Sequence, residues 1–437
     1  MKIFVSTPYR ENSIMSIARA AATDHELCHF YTTLYLASYQ AKAQRIPWVG
    51  SRLAQELGRR AFLNIPSDRV TAVATLPELV HVGVRRLLGM HGPTVTSELM
   101  YWVKARFDHA VAKRLLWEHP DVLIGMYGAS LESFWVTHQH GGMTVLNFVN
   151  SHPAEHNRYL SELAGLHAPH HELIPDWMVD RVEHELELAD LVLVPSNFVA
   201  KQLRAHHVAS EKIAVLPYGV DLHAFHPDDL RTFERKTVEC LFVGQISHRK
   251  GIRVLIEAAL RSQGMPVRFH LIGPVVSSKL LQNLPDNIFY EGTRLPGSVA
   301  ETMRKADLFV LPSFEDAYAL VVLEAMASGL PLITTDHNGA SELLENGHDG
   351  LIVPAGDVNA LAKAIYDLVE KSELRSKLGN AARKKVEGTY SWEHYGKSVL
   401  QAIAVACERH NLSRSASSNE DPSSKGQDAY EDLDNRR

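Results

Sequence analysis

Short runs of β-branched and aromatic residues alternate with segments of helical period along most of the chain. Few architectures accept that pattern, because strands that are apolar on both faces belong in parallel sheets covered by helices on both sides. In the first half the runs are Ile3–Ser6, Leu27–Tyr31, Val122–Met126, Val145–Val149 and Leu191–Val194. Between the last two, Asp176–Ala189 has the spacing of a helix, with Trp177, Val179, Val182, Leu186 and Ala189 expected on its core face.

The alternation breaks at Leu216–Pro227, where two prolines and a glycine suit a connector rather than an element. A charged stretch from Asp228 to Thr237 follows. Strands are then expected at Glu239–Val243, Val267–Ile272, Asp307–Leu311 and Leu332–Thr335. Helices are expected at Ile252–Arg261, Tyr318–Ser328, Val358–Glu370, Glu373–Glu387 and Trp392–Arg409. Gly329 and Pro331 form the stop after Ser328. The expected organisation is an N-terminal α/β domain at 1–216, a connector at 217–236 and a second α/β domain at 237–390. A last helix at 391–410 and a Ser-, Asp- and Asn-rich tail at 411–437, expected to be disordered, complete it.

The formal charge of −6 gives no global argument for nucleic-acid binding. Three cysteines, Cys28, Cys240 and Cys407, are too few and too scattered for a disulfide framework, so a cytoplasmic location is expected. The opening residues are apolar for too short a run to be a signal peptide, and no run of about 18 apolar residues offers a membrane span. Arg59-Arg60 and Arg85-Arg86 leave peripheral membrane contact open, although basic pairs usually lie on solvated helix faces.

Ligands of open α/β sheets bind beyond the carboxyl ends of strands, and three strand ends in the second half carry polar groups. The first reads Gly244-Gln245-Ile246-Ser247-His248-Arg249-Lys250-Gly251 and opens a helix. Arg249 and Lys250 beside a helix start make an anion site, with a diphosphate as the natural guest. The second is Glu315-Asp316-Ala317-Tyr318-Ala319-Leu320, running on to Glu324 within an apolar helix. Asp316 suits either a helix cap or a ligand contact. A carboxylate among Leu323, Ala325 and Met326 calls for a partner, whether a sugar diol or an ion pair. The third is Gly273-Pro274, followed later by Tyr290-Glu291-Gly292-Thr293-Arg294, a tight turn that would bring backbone close to a base.

These segments, in this order, resemble the retaining glycosyltransferases of glycosyltransferase family 4. The likeness covers about Ala189 to Tyr395, including Gly219-Val220-Asp221, Arg249-Lys250-Gly251, the Asp316-to-Glu324 run and Gly350-Leu351-Ile352-Val353-Pro354. It implies the GT-B fold, two Rossmann-like domains whose parallel sheets face each other across a cleft. It further implies transfer of a hexose-type sugar, with retained configuration, from a nucleotide-sugar donor to a glycan, lipid-linked or small-molecule acceptor. By the resemblance Lys250 and Arg249 would hold the diphosphate, Glu324 the ribose hydroxyls and Asp316 the transferred sugar. Gly244, Gly273, Arg294, Ala317, Tyr318, Ala319 and Leu320 would complete the donor site. No metal or other cofactor is expected, the nucleotide sugar being substrate. Acceptor recognition would fall to the first domain, particularly Ala41–Pro120.

Departures from the family pattern are Asp316 for glutamate, Gln245 for arginine and Ala319 for glycine. Thr7–Ser13 stands where a glycine-rich loop is usual, with Arg10 as an electrostatic substitute. His152, after the strand at Val145–Val149, lies where the family often places a histidine near the sugar, and joins Asp316 and Lys250 as a catalytic candidate; a structural histidine is the alternative. His152-Pro153-Ala154-Glu155-His156 also spells the H-x-x-E-H pattern of zinc proteases, but Pro153 would sit in the first turn and leave His152 outside the helix. A non-catalytic nucleotide-sugar or glycan-binding protein and a sugar-nucleotide epimerase are the remaining alternatives.

Overall fold

The computed structural model describes residues 1–35, 65–88, 93–163, 172–228 and 236–417. All of 36–64, Arg59-Arg60 included, and all of 418–437 lie outside the described residues. The first half runs β1 (Ile3–Ser6), α1 (Asn12–Thr23), β2 (Leu27–Thr32), β3 (Val70–Ala72), α2 (Thr75–Leu88), α3 (Pro93–Leu115), β4 (Val122–Met126), α4 (Leu131–Gln139), β5 (Met143–Asn147), α5 (Pro153–Leu163), α6 (Asp176–Leu188), β6 (Leu191–Val194), α7 (Asn197–Ala205) and β7 (Ile213–Val215). Its seven strands are all parallel, in the order β3-β2-β1-β4-β5-β6-β7. The second half runs β8 (Val238–Val243), α8 (Ile252–Arg261), β9 (Val267–Ile272), β10 (Ile288–Tyr290), α9 (Pro296–Lys305), β11 (Leu308–Leu311), α10 (Leu320–Ala327), β12 (Leu332–Thr335), β13 (Leu351–Val353), α11 (Val358–Glu370), α12 (Ser372–Val386) and α13 (Trp392–Ser417). Six parallel strands follow the order β10-β9-β8-β11-β12-β13. The chain therefore folds as two Rossmann-like domains.

Strands β1, β4, β5, β6, β11 and β12 are buried along their whole length, whereas β2, β8 and β9 interrupt their apolar runs with partly exposed residues such as His29, Glu239 and Arg268. Three expectations are corrected. Strand β5 starts at Met143, opposite Val122, and ends at Asn147 rather than Val149. Helix α6 buries Met178, Val182, Glu185 and Leu186, whereas Trp177 is 45% exposed. The reason is Glu185, whose carboxylate accepts the backbone N–H groups of Gly128 (2.6 Å) and Ser130 (2.8 Å) just past β4. Turning that glutamate inward satisfies two buried donors at the cost of rotating Trp177 out. The last helix continues to Ser417, beyond Asn411 where polar composition suggested an end.

The link between the domains is packed rather than loose. Tyr218, Val220 and Phe225 are buried. Tyr218 lies edge-on to Tyr318 at 5.1 Å and to Tyr395 at 5.4 Å, and Val220 N–H donates to the Tyr390 carbonyl at 2.9 Å. Helix α13 returns to the first domain, where the Ser16 hydroxyl donates to the Trp392 carbonyl. Among the described residues no helix is long and apolar enough to cross a membrane.

Candidate functional site

In the second sheet the strand order reverses between β8 and β11, and at such a switch point two neighbouring loops splay apart to leave a crevice. The loops there are Gly244–Gly251 after β8 and Pro312–Ala319 after β11. They are fastened to each other below the crevice. Phe314 N–H donates to the Arg249 carbonyl at 2.8 Å. Gly251, at φ 71°, begins α8, and a Cβ there would fall 1.8 Å from the Pro312 carbonyl oxygen. Only glycine meets both the left-handed backbone and the close approach.

Above this seam lies a cavity of about 340 Å³. Its lining includes Gly244, Lys250, Arg294, Asp316, Tyr318, Ala319, Leu320 and Glu324, with Phe225, Val243, Val299 and Val321 adding apolar wall. Asp316 does not cap the following helix: α10 starts at Leu320 with no side-chain cap, and Asp316 is paired with Lys250 instead. Burial pulls the Lys250 ammonium below its ordinary range, and the Asp316 carboxylate partly offsets that. Glu324, in the second turn of α10, has no side-chain hydrogen bond or ion pair among the described residues. Burial raises its carboxyl to about 7. Arg294 is 37% exposed at the rim, tied to Glu291 and to the Thr302 hydroxyl.

Four expected residues sit elsewhere. Arg249 turns its guanidinium away from the cavity, toward the Glu315 carbonyl (3.2 Å) and carboxylate (3.6 Å). Burial disfavours its charge, but the carboxylates of Glu315, Asp316 and Glu172 outweigh this and raise it. Gly273 lies behind the Gly244 carbonyl, so it shapes the wall without facing the cavity. Ala317 faces the first domain, its carbonyl accepting from the Ser196 hydroxyl at 2.9 Å. His152 is fully buried in the first domain with its ring stacked on His206.

One turn further along α5, His156 does reach the seam. Its Nδ1 is 2.9 Å from Glu315 Oε2, and the Ser151 hydroxyl donates to Glu315 Oε1. Burial would raise the Glu315 carboxyl, but His156, Arg249 and Ser151 outweigh it and hold it at about 2. Glu172 adds a second tie, accepting from the backbone N–H groups of His248 (3.2 Å) and Arg249 (3.1 Å). His152 and His156 thus point in different directions, and the zinc-protease pattern is not assembled. Glu315, His156 and Glu172 were not singled out for the site. Glu315 was visible beside Asp316, and His156 stood in a motif read for another chemistry. Arg10, the substitute for the missing glycine loop, is exposed.

Two adjoining family profiles match: Glycosyltransferase Family 4 over residues 53–224 and Glycosyl transferases group 1 over 230–385. Among curated proteins, the chain is 31% identical over 233 residues to a protein named for colanic acid biosynthesis, the glycosyltransferase WcaL of Escherichia coli. That match takes 49% of this chain and 57% of the relative. A D-inositol 3-phosphate glycosyltransferase of Paenarthrobacter aurescens is 28% identical over 47% of this chain and 55% of its own. The chain spans about half the length of the curated relatives it matches. Among solved structures, sucrose-phosphate synthase from Thermosynechococcus elongatus superposes with a TM-score of 0.68 at 18% identity, over 94% of this chain and all of that one. HepE of Anabaena, solved in complex with UDP, gives 0.64 at 15% identity, over 93% of this chain and 100% of that one. The two sheets, the crevice at the second switch point and the two adjoining profiles agree, and the chain belongs with the family 4 type of GT-B glycosyltransferases.

Proposed function

We propose that this protein transfers a hexose-type sugar from a nucleotide-diphosphate donor to a glycan, lipid-linked or small-molecule acceptor, with retention of configuration and without a metal cofactor. The observation that carries the reading is Glu324, a half-buried carboxyl lining the cavity with no side-chain partner among the described residues, 8 positions after Asp316. A ribose diol supplies the two donors that such a group lacks. Lys250, a cation of the cavity wall, would then meet the diphosphate and stabilise the charge that develops as it leaves. Asp316, freed from Lys250 by the competing phosphate, would accept from hydroxyls of the sugar. Holding both ends of the donor leaves the acceptor hydroxyl to attack from the side on which the diphosphate departs, its proton passing to the leaving phosphate oxygen. Positioning and charge then account for the catalysis. Acceptor recognition is assigned to the first domain, and relatives named for colanic acid and inositol phosphate chemistry favour a carbohydrate or polyol acceptor.

The test is thermal denaturation with UDP, GDP, ADP and their sugar conjugates, on wild type and Glu324→Ala. A rise of several degrees with one nucleotide, absent from the variant, supports the reading. No rise with any nucleotide rejects it.

A further inference from the structure

A second polar cavity, of about 530 Å³, opens in the first domain where α6, α7 and the entry to α5 meet. On its wall stands His152, fully buried, with neither ring nitrogen hydrogen-bonded among the described residues. A buried imidazole in that state forfeits bonds it would make in water, at about 1–3 kcal/mol for each unsatisfied group. Something the protein chain does not itself supply is suited to meet it.

Two neighbours indicate what. The Glu183 carboxylate lies 4.0 Å from His152 Nε2, and the same oxygen lies 4.0 Å from His206 Nδ1. His206 Nε2 is 3.2 Å from Glu155 Oε1, so the proton belongs on Nε2 and the lone pair on Nδ1, the atom facing Glu183. A carboxylate behind a histidine is the arrangement that fixes the tautomer of metal-binding imidazoles.

We propose that His152, Glu183 and His206 bind one zinc-class divalent ion, the remaining position opening onto the cavity, whose wall also carries His207. Two imidazoles and a carboxylate are a donor set that zinc accepts. Ligand atoms around tetrahedral zinc stand roughly 3.3 Å apart, given bonds of about 2.0–2.1 Å. The separations of 4.0 Å therefore close by movement of less than about an ångström, which Glu183, 48% exposed, is free to make. The imidazole rings now lie 16° from parallel with centroids 3.7 Å apart, so one ring must turn for both lone pairs to meet the ion. His206, 25% exposed at the end of α7, is the one with room. This site is separate from the donor cavity. The ion would join three helices and fix the start of α5, four residues before His156 touches Glu315.

The experiment uses the untagged full chain, stripped with a chelator and then titrated calorimetrically with Zn²⁺, with Co²⁺ absorption as a second readout. The expected result is one ion per chain, with visible cobalt bands of a four- or five-coordinate site. Glu183→Gln and His206→Ala should each weaken uptake by about tenfold or more, and Glu155→Gln by roughly 10- to 100-fold. These partners reach solvent, so the variants keep the fold, as an unchanged unfolding temperature without metal will establish; His152→Ala is avoided because its ring is buried. The proposal is overturned if no stoichiometric uptake occurs, or if Glu183→Gln and His206→Ala both bind like wild type.

Discussion

Replacing Glu324 with glutamine should make the protein more stable and less able to hold its donor. The Glu324 carboxyl rises from the usual 4.5 to about 7 because burial disfavours its charge. Between those values the folded protein keeps a proton that the unfolded chain has released, so stability falls as pH climbs through that window. At about 1.4 kcal/mol per pKa unit, the full cost above pH 7 is about 3 kcal/mol. Glutamine keeps the shape and never ionises. The variant should therefore exceed wild type by about 1 kcal/mol at pH 5 and about 3 kcal/mol at pH 9. For a domain of this size that corresponds to roughly 6–10 °C in Tm at the alkaline end. Conversely, the loss of a charged acceptor for the ribose hydroxyls should weaken nucleotide binding roughly 10- to 150-fold at pH 8. Differential scanning fluorimetry across pH 5–9, with and without the bound nucleotide, reads both effects. A Tm difference that does not grow with pH, or undiminished nucleotide binding in the variant, would refute the argument that an unpaired carboxyl is kept there for the ligand.

Lys250→Met should lower kcat/KM for transfer at least about 100-fold, because no other lysine lines the cavity among the described residues; donor-turnover assays check it. Glu315→Gln should be less stable than wild type at pH 7, and the gap should narrow as pH falls from about 4 toward 2, where the depressed Glu315 carboxyl takes up its proton; urea titrations at several pH values follow this. Gly251→Ala should cost more than about 2 kcal/mol, since its left-handed backbone penalises a side chain and the methyl collides with the Pro312 carbonyl, and chemical denaturation measures it. If donor binding closes the cleft, solution scattering will show a smaller radius of gyration with the nucleotide sugar; an unchanged value argues against closure.

How far the sequence reveals this molecule depends on how deeply an element is buried. Every interior strand of both sheets is legible, most as unbroken apolar runs and β8 and β9 as mainly apolar runs of six that keep a polar residue or two. The four strands that were not read, β3, β7, β10 and β13, are the four sheet edges, each three residues long and partly exposed. Three residues are too few to show a period, even where they are apolar throughout, as in Ile213–Val215 and Leu351–Val353. The same logic governs the site. Lys250, Asp316 and Glu324 stand on loops and a helix next to strand ends and could be picked out, because charges there break an apolar context. His156, Glu172 and the Glu183–His206 pair could not, since their meaning comes from partners 16 to 159 positions away. His152 shows the converse: its place after a strand suggested the cleft, yet its ring stacks on His206 while His156 reaches Glu315.

The connector glycine has a mechanical consequence. A Cβ on Gly219 would fall 2.3 Å from the backbone of both Ser391 and Trp392. The outgoing and returning passes of the chain therefore cross in direct contact, like two leaves on one pin. Sliding of one domain along the other is blocked there, and rotation about the crossing is the motion left. Such a pivot grades movement by radius: the Tyr218–Tyr318–Tyr395 cluster beside the pin stays nearly still, while groups at the outer lip of the crevice sweep the widest arc. Substrates gripped near the lip would thus sense the opening angle far more than those gripped near the floor.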